Sequence, residues 1–428
     1  MEAVRKIGRQ TFASLSIKNY RLYFIGQALS LSGTWMQTIA QDWLVLKITG
    51  SGTQLGIVSA FQFLPLLFFS PWGGVITDRF DKRKLLFITQ TAAGILALIL
   101  GILVATSLVK IWMVYLLALG LGFVNVIDNP TRQTFVSEMV DRDHLPNAIT
   151  LNATEINMAR AIGPAAAGII ISTLGLALCF FVNAVSYIAV IIILFLMQSS
   201  ELHKILPVPR AKGQIREGLN YVKSSPFLLG TLLMMAVIGT FSYEFSISLP
   251  LMAQFVFHGD AESYAALVTA AGVGSVVGGL FTASRAEVTR KMLIASGFFF
   301  GVSLLITTLM PTLHFAMLSL FFAGFFSINF ISLGNTMLQL ESVPEKRGLV
   351  MSLWTMAFLG STPIGGPIIG WIGEYIGPRW GLGVGGAAAV AAAAFGAIFL
   401  LKKDKAIPVP EEVAVQDERK MSEERLRI

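Results

Sequence analysis

Twelve stretches of this chain are each long enough to cross a bilayer, and they carry almost no charge. They lie at approximately 22–47, 54–77, 85–106, 111–134, 145–173, 176–197, 227–256, 263–283, 292–310, 314–338, 347–374 and 379–401. A helix needs about 20 residues to span ~30 Å of hydrocarbon. Barrel strands are excluded, because they alternate over only ~10 residues. A soluble fold is excluded by surface: 13% of the 428 residues are charged, against about 25% in soluble domains. The expected fold is all-α and integral to the membrane, with lipid as a partner. Turn signals separate the runs: Thr49-Gly50-Ser51-Gly52, Ser225-Pro226, Met310-Pro311 and Gly377-Pro378.

The gaps between runs alternate in charge. One set holds Arg5, Lys6, Arg9, Lys18 and Arg21, then Arg79 and Lys82 to Lys84, Arg132 and Arg142, Lys204 to Lys223, Arg285 to Lys291, Lys346 and Arg347, and the basic residues after Leu401. The other set holds only Lys47, Lys110 and Arg379. Basic loops remain in the cytoplasm, so both termini are expected there, which requires an even number of crossings. The net charge of +7 therefore reflects topology and not a nucleic-acid-binding face.

The chain divides accordingly. Residues 1–21 read as a cytoplasmic tail, 22–197 as a six-helix bundle, 198–226 as a cytoplasmic linker, 227–401 as a second bundle and 402–428 as a charged tail. In the linker, Ile215, Leu219 and Val222 recur at helical spacing beside Arg216 and Lys223, which predicts a short helix lying on the membrane surface. A shift of about 203 positions brings Glu138 onto Glu341, Val140 onto Val343, and Gly163-Pro164 onto Gly366-Pro367. Their shared topological position points to internal duplication.

Charges inside a span are costly and face a cavity or a partner. The candidates are Asp42, Asp128, Glu155, Arg160 and Glu244. Gln27, Ser30, Thr34, Gln37 and Gln41 form a stripe on the first run, in steps of three and four that share one face. The fourth run adds Asn125 and Asn129, and the tenth adds Ser332, Asn335 and Gln339. Such faces fit either a wet pathway or hydrogen bonds between helices. A carboxyl group in low dielectric holds its proton to higher pH, as a proton-coupled transporter needs. Glu244 is the first candidate carrier and Asp42 the second. Arg160 is read either as holding Glu155 ionised or as meeting an anionic substrate.

Gly73-Gly74-Val75-Ile76-Thr77-Asp78-Arg79-Phe80-Asp81-Lys82-Arg83-Lys84 resembles motif A of the major facilitator superfamily, with Asp81 where glycine is usual. Gly163-Pro164-Ala165-Ala166-Ala167-Gly168 is similar to its antiporter motif. Gly33 to Gln37, Trp43 to Val45 and Thr49 to Ser51 look like the enterobactin-exporter and macrolide-efflux branch, of the transmembrane secretion effector type. The resemblance implies a bacterial cytoplasmic-membrane protein of two pseudo-symmetric six-helix bundles, with runs 1, 4, 7 and 10 around a central cavity. It implies a cytoplasmic gate at Gly74, Asp78, Arg79 and Arg83, locking against the start of run 11 near Gly348 to Ser352. It also implies packing hinges at Gly163, Pro164, Gly168, Gly366 and Pro367. The pathway would then comprise Asp42, Gln37, Gln41, Asp128, Asn125, Glu155, Arg160, Glu244 and Asn335.

The expected function is secondary active transport, read as proton-coupled efflux of amphipathic small molecules such as drugs or siderophores. Import on the same fold is the alternative, and a non-transporting receptor or scaffold a weaker one. No His-Glu-x-x-His, Gly-x-Ser-x-Gly or Walker loop is present, so neither an intramembrane hydrolase nor an ATP-driven pump is expected. The single cysteine, Cys179, allows no internal disulfide. The histidines lack ligand spacing. We therefore expect no metal, no cofactor beyond the proton gradient, no nucleic acid, and a monomer.

Overall fold

A computed structural model describes residues 12–203, 214–283, 288–358 and 360–401, and these are almost wholly helical, with no strand among them. The helices are α1 (Lys18–Thr49), α2 (Gly52–Arg79), α3 (Lys82–Ala105), α4 (Ile111–Met139), α5 (Leu145–Leu174), α6 (Leu176–Leu196), α7 (Gln214–Ser224), α8 (Pro226–Phe241), α9 (Phe245–Leu251), α10 (Ala261–Ala283), α11 (Arg290–Leu309), α12 (Leu313–Leu340), α13 (Pro344–Phe358), α14 (Thr362–Tyr375) and α15 (Pro378–Leu401). The surface helix expected in the linker is α7, and α8–α9 and α13–α14 each make one interrupted span.

Among the described residues ten stretches are long and apolar enough to cross a membrane, with α1 and α5 the missing two. These two are the most polar of the spans, yet they are 32 and 30 residues long. That is about 45 Å of helix each, ample for a crossing, and together with the ten they give the twelve expected. Gln27, Gln37, Gln41 and Asp42 of α1 and Glu155 of α5 are buried against neighbouring helices, whereas Thr150, Thr154, Ser172 and Thr173 of α5 are exposed and bond to their own helix backbone. Lipid meets other surfaces, such as the exposed Ile88, Ile95, Ile99 and Ile102 along one side of α3.

Helices α1–α6 pack among themselves, α1 on α5 and α6, α2 on α4, and α3 on α4 and α6. Helices α8–α15 repeat the arrangement, α10 on α12, α11 on α12 and α15, and α8 on α15 and α13. The two groups meet along two long seams, α2 with α14 and α5 with α10.

Matching ion pairs occur in both halves. Lys82, the first residue of α3, holds Glu138 near the end of α4 at 2.6 Å, with both side chains buried. Arg290, the first residue of α11, holds Glu341 just after α12 at 3.3 Å, and is more exposed. The expected duplication had already aligned Glu138 with Glu341. Because the first pair is buried, Glu138→Gln strands a desolvated lysine and is expected to cost about 3–5 kcal/mol. Glu341→Gln should cost under about 1 kcal/mol. Unfolding of the two variants in detergent checks the contrast; equal losses would contradict it.

Two spans depart from the sequence expectation. The runs at 227–256 and 347–374 were read as continuous. The first breaks between Phe241 and Phe245 and ends in a π turn, Met252–Val256. No glycine or proline marks this break. Ser242 Oγ instead donates to Gly385 O at 2.7 Å, and Tyr243 Oη to Ser327 O at 2.8 Å. Tertiary partners therefore hold the irregular backbone, as hydrocarbon surroundings require. The second break separates Phe358 from Thr362, next to Gly360 and Pro363.

The amino-terminal boundary also shifts. Helix α1 begins at Lys18, inside the segment read as a tail. The preceding turn, Ala13–Ser16, docks through Ser14 on His144 O and Asn147 Oδ1 at 2.9 and 3.0 Å. Residues 1–11 and the tail from 402 lie outside the described residues.

Candidate transport pathway

Glycines bring the halves into backbone contact at one end of the molecule. Gly52 faces Gly370, and Gly56 faces Gly366 and Pro367. A Cβ at Gly168 would lie 2.9 Å from that of Ala265, and Gly272 packs on the backbone of Arg160 and Ala161. Of the hinge candidates, Gly168, Gly366 and Pro367 thus lie on the seams. Gly163 instead abuts Trp35 and Ser32 O of α1, within its own half, and Pro164 is buried one residue on.

Nearer the basic loops the pattern reverses. Gly73 packs on Val126 of α4, and Gly278 on Phe325 and Ile328 of α12, both within their own halves. The side-chain hydrogen bonds between α1–α6 and α8–α15 agree. Tyr264 Oη donates to Asp42 Oδ2 at 2.7 Å, and Ser51 Oγ and Thr53 N donate to Glu374 Oε2 at 2.5 and 2.9 Å. Among the described residues these bonds lie at the end away from the basic loops, so the halves close there and are more open toward the basic end.

The expected gate residues sit at that open end. Gly74 and Asp78 are half-buried and Arg79 is exposed. Arg83 donates to Leu194 O and Phe195 O at 2.6 and 3.1 Å, covering the end of α6 in its own half. A side chain added at Gly348 would meet nothing within 4 Å. At the closed end, Glu374 does what motif A was expected to do at the other: a carboxylate from span 11 accepts from the first turn of α2.

The pathway candidates separate by environment. Asp128 accepts from Thr89 and Gln90 at 2.6 and 2.8 Å and from Arg132, which also reaches Gln27. This network ties α1, α3 and α4 together and accounts for the buried charge. Gln37 accepts from Asn183 at 2.7 Å on α6. The upper part of the α1 stripe is thus spent between helices of one half. Gln41 is buried, Asn125 half-buried, and Asn335 accepts from Gln339 on its own helix.

Asp42, Glu155 and Glu244 are all buried, and among the described residues none forms an ion pair. Glu244 stands in the break of span 7 with Oε1 unpartnered, and its carboxyl group meets Thr362 where α14 starts after the break in span 11. The two interruptions thus meet at one acid. Glu155 also has an unpartnered oxygen. Arg160 does not hold it ionised by direct contact, because a separation of five residues puts them on different helix faces. Arg160 instead stacks on Trp35, 5.2 Å from the ring.

Between the halves lies a cavity of about 130 Å³, bounded by Trp35, Arg160, Tyr243, Phe245, Tyr264 and Ser327, among others. Tyr264 places Asp42 directly behind its wall. Trp35, Tyr264, Thr362 and Glu374 were not picked out as pathway residues from sequence. Each matters through a partner on a distant span, which local spacing does not reveal.

Residues 9–425 match the family model described as transmembrane secretion effector. The chain belongs to the transmembrane secretion effector family. Relatives of this secretion effector include the staphyloferrin A transporter of Staphylococcus aureus, 27% identical over 297 residues, covering 67% of this chain and 72% of the relative. The enterobactin exporter of Shigella flexneri is 24% identical over 84% of this chain and 86% of the relative. Macrolide efflux protein A of Streptococcus pyogenes is 23% identical over 81% and 88%. Among solved structures, a bacterial homologue of the lysosomal transporter Spinster, inward-facing and occupied, aligns with TM-score 0.70 at 15% identity over 91% of this chain and 98% of that one. A bacterial ferroportin homologue, inward-facing, gives 0.68 at 14% over 89% and 98%. The secretion effector therefore has the major facilitator fold and is a multi-pass secondary transporter.

Proposed function

We propose that this secretion effector exports amphipathic small molecules from the cytoplasm in exchange for protons, by rocking its two bundles about the seams α2–α14 and α5–α10. The observation that carries the coupling is the set of buried acids that form no ion pair among the described residues, Asp42, Glu155 and Glu244, with Asp42 set behind the Tyr264 wall of the cavity between the bundles. A carboxylate left in low dielectric is expensive, and binding a proton removes the charge. The basic loops assign the open end to the cytoplasm, which makes the described conformation inward-facing. Relatives named as an exporter and an efflux protein support the outward direction. The chain is proposed to act as a monomer in the bacterial cytoplasmic membrane, without metal or organic cofactor.

In this cycle the Asp42–Tyr264 and Glu374–Ser51/Thr53 bonds are the clasp of the outer side. Tyr264→Phe removes one of the two donors to Asp42 among the described residues and leaves Ser246, an effect of about 1–3 kcal/mol. The outward-facing fraction should then rise by roughly tenfold or more, read as distance distributions between spin labels on the outer ends of α2 and α14. An unchanged distribution would remove Asp42 from the clasp.

Proteoliposomes with an imposed pH gradient test the whole reading, using anionic, neutral and cationic amphiphiles in parallel. Movement of at least one probe against its own gradient, abolished by a protonophore, is expected. Accumulation in the same direction as the proton would make the protein an importer. No proton-dependent movement of any probe would remove the coupling.

A further inference from the structure

A cation within a membrane protein requires an anion, water or an aromatic face to offset its desolvation. Arg160 has the last of these. Its guanidinium lies 5.2 Å from the centre of the Trp35 ring, its Nε has no acceptor, and among the described residues it forms no ion pair. Of the acids buried in the spans, Asp42, Glu155 and Glu244 form no ion pair with it among the described residues. Asp42 is bonded to Tyr264, Glu244 faces Thr362, and Glu155 lies on another face of the same helix. Arg160 is also the one charged residue among those lining the cavity between the bundles. Its backbone is fixed by the packing of Gly272 upon it, so the side chain projects from a rigid base at the seam.

Much of the remaining wall is apolar and aromatic, and its hydroxyls are engaged elsewhere, Thr38 on Thr34 O and Ser246 and Tyr264 on Asp42. Ile39, Phe245, Val268 and Ala271 line it together with Trp35. Tyr243 adds a ring, packed at 4.8 Å from Phe358 and 5.1 Å from Phe300, but its hydroxyl is already donated to Ser327 O. The Ser275 hydroxyl is similarly committed to backbone oxygens of Ala271 and Gly324, at 3.0 and 3.2 Å. The site thus offers one cationic fork and flat apolar walls. A guanidinium recognises a carboxylate through paired donors, and its geometry matches that of the anion.

We propose that the cavity selects organic anions, a carboxylate or similarly charged oxygen group on Arg160 with a planar apolar body against Trp35 and Phe245. The proposal names the substrate class of the site used in the export reading and rests on that reading for its setting. The anion supplies the charge that Arg160 lacks, and the occupied cavity then bridges α1 and α5 to span 7 and α10 across the seam.

Binding is measured on the purified full chain in detergent by titration calorimetry, so no transport is needed. The probes are naphthalene-2-carboxylate, its neutral carboxamide and 2-naphthylmethylammonium. The carboxylate should bind about tenfold to a hundredfold more tightly than the carboxamide, the range of a charge-assisted hydrogen bond, and the ammonium should bind most weakly. Arg160→Gln should remove the preference and leave the carboxamide affinity nearly unchanged. Arg160→Lys should keep part of it. Trp35→Leu should weaken all the probes while the preference persists, which covers the case in which the arginine variants fold poorly. Equal affinities in the unmodified protein, or a preference that survives Arg160→Gln, would overturn the assignment. Anion-selective binding without proton-driven movement in proteoliposomes would refute the coupling and leave this assignment standing. Proton-driven movement of neutral or cationic probes alone would do the reverse.

Discussion

Glu244→Gln is expected to abolish uptake driven by a pH gradient in inside-out vesicles, by about a hundredfold or more, while exchange of labelled for unlabelled substrate continues. The side chain is buried, one oxygen lacks a donor, and its neighbour is a neutral threonine. Glutamine preserves its size and polarity but carries no exchangeable charge. A positioned proton acceptor is worth about 10²–10⁴ in rate where the proton must be transferred. Exchange requires only that the loaded protein reorient, so it should survive. Comparing gradient-driven flux with counterflow separates the two. If Glu244→Gln still concentrates substrate under a pH gradient, the carrier lies elsewhere, and Asp42→Asn becomes the decisive variant.

The second large effect is expected at Gly56. Its Cα lies against the backbone of Gly366 and Pro367, and any side chain would enter space occupied by main-chain atoms of the opposite half. Overpacking by even a methylene costs about 1–3 kcal/mol when side chains can yield, and here the obstacle is backbone. Gly56→Leu should therefore hold the outer side open and abolish transport. Each half should stay folded, because the clash falls between them. Leu251, buried between Gly52 and Gly373, gives the readout. A cysteine there should react slowly with a membrane-impermeant maleimide added outside, and at least tenfold faster beside Gly56→Leu. Cys179 is buried and contributes little background. Normal transport in the Gly56→Leu variant would show that α2 and α14 need not touch.

Much of the architecture was legible because lipid imposes it. The twelve runs and the gap between the bundles follow from chain length against bilayer thickness. The surface helix Gln214–Ser224 followed from the spacing of Ile215, Leu219 and Val222. The alignment of Glu138 with Glu341 marked two equivalent positions, but the ion pairs that they make with Lys82 and Arg290 were not legible. Hydropathy alone undercounts, since α1 and α5 fall short of a membrane window; their length and the alternation of the loops recover them. What failed was the local geometry fixed by distant partners. The break at Ser242 to Glu244 carries no glycine or proline and depends on Gly385 and Ser327, over 80 residues away.

The candidate site was legible as a set of residue types and not as a set of partners. The carboxyl groups and Arg160 stood out because charge in a span needs a reason. Asp128 looked the same from sequence, yet Thr89, Gln90 and Arg132 absorb it into the scaffold. The stripe on α1 shares a face as its spacing implied. That face turns partly to Asn183 and Tyr187 of α6, at 2.7 and 3.3 Å from Gln37 and Thr34.

The bonds joining the bundles at Asp42 and Glu374 are built from hydroxyls and one amide donating to carboxylates, with no cation taking part. Dissolved ions weaken attraction between opposite charges in water, over a Debye length of about 8 Å at physiological strength. They have little to act on here. The other mouth carries basic loops on both bundles, with Arg79 and Lys84 exposed on one and Arg347 on the other, and like charges oppose close approach. Raising the salt concentration should thus ease the approach of the two rims on that face and leave the opposite face indifferent, so ionic strength would bias the cycle from one direction only.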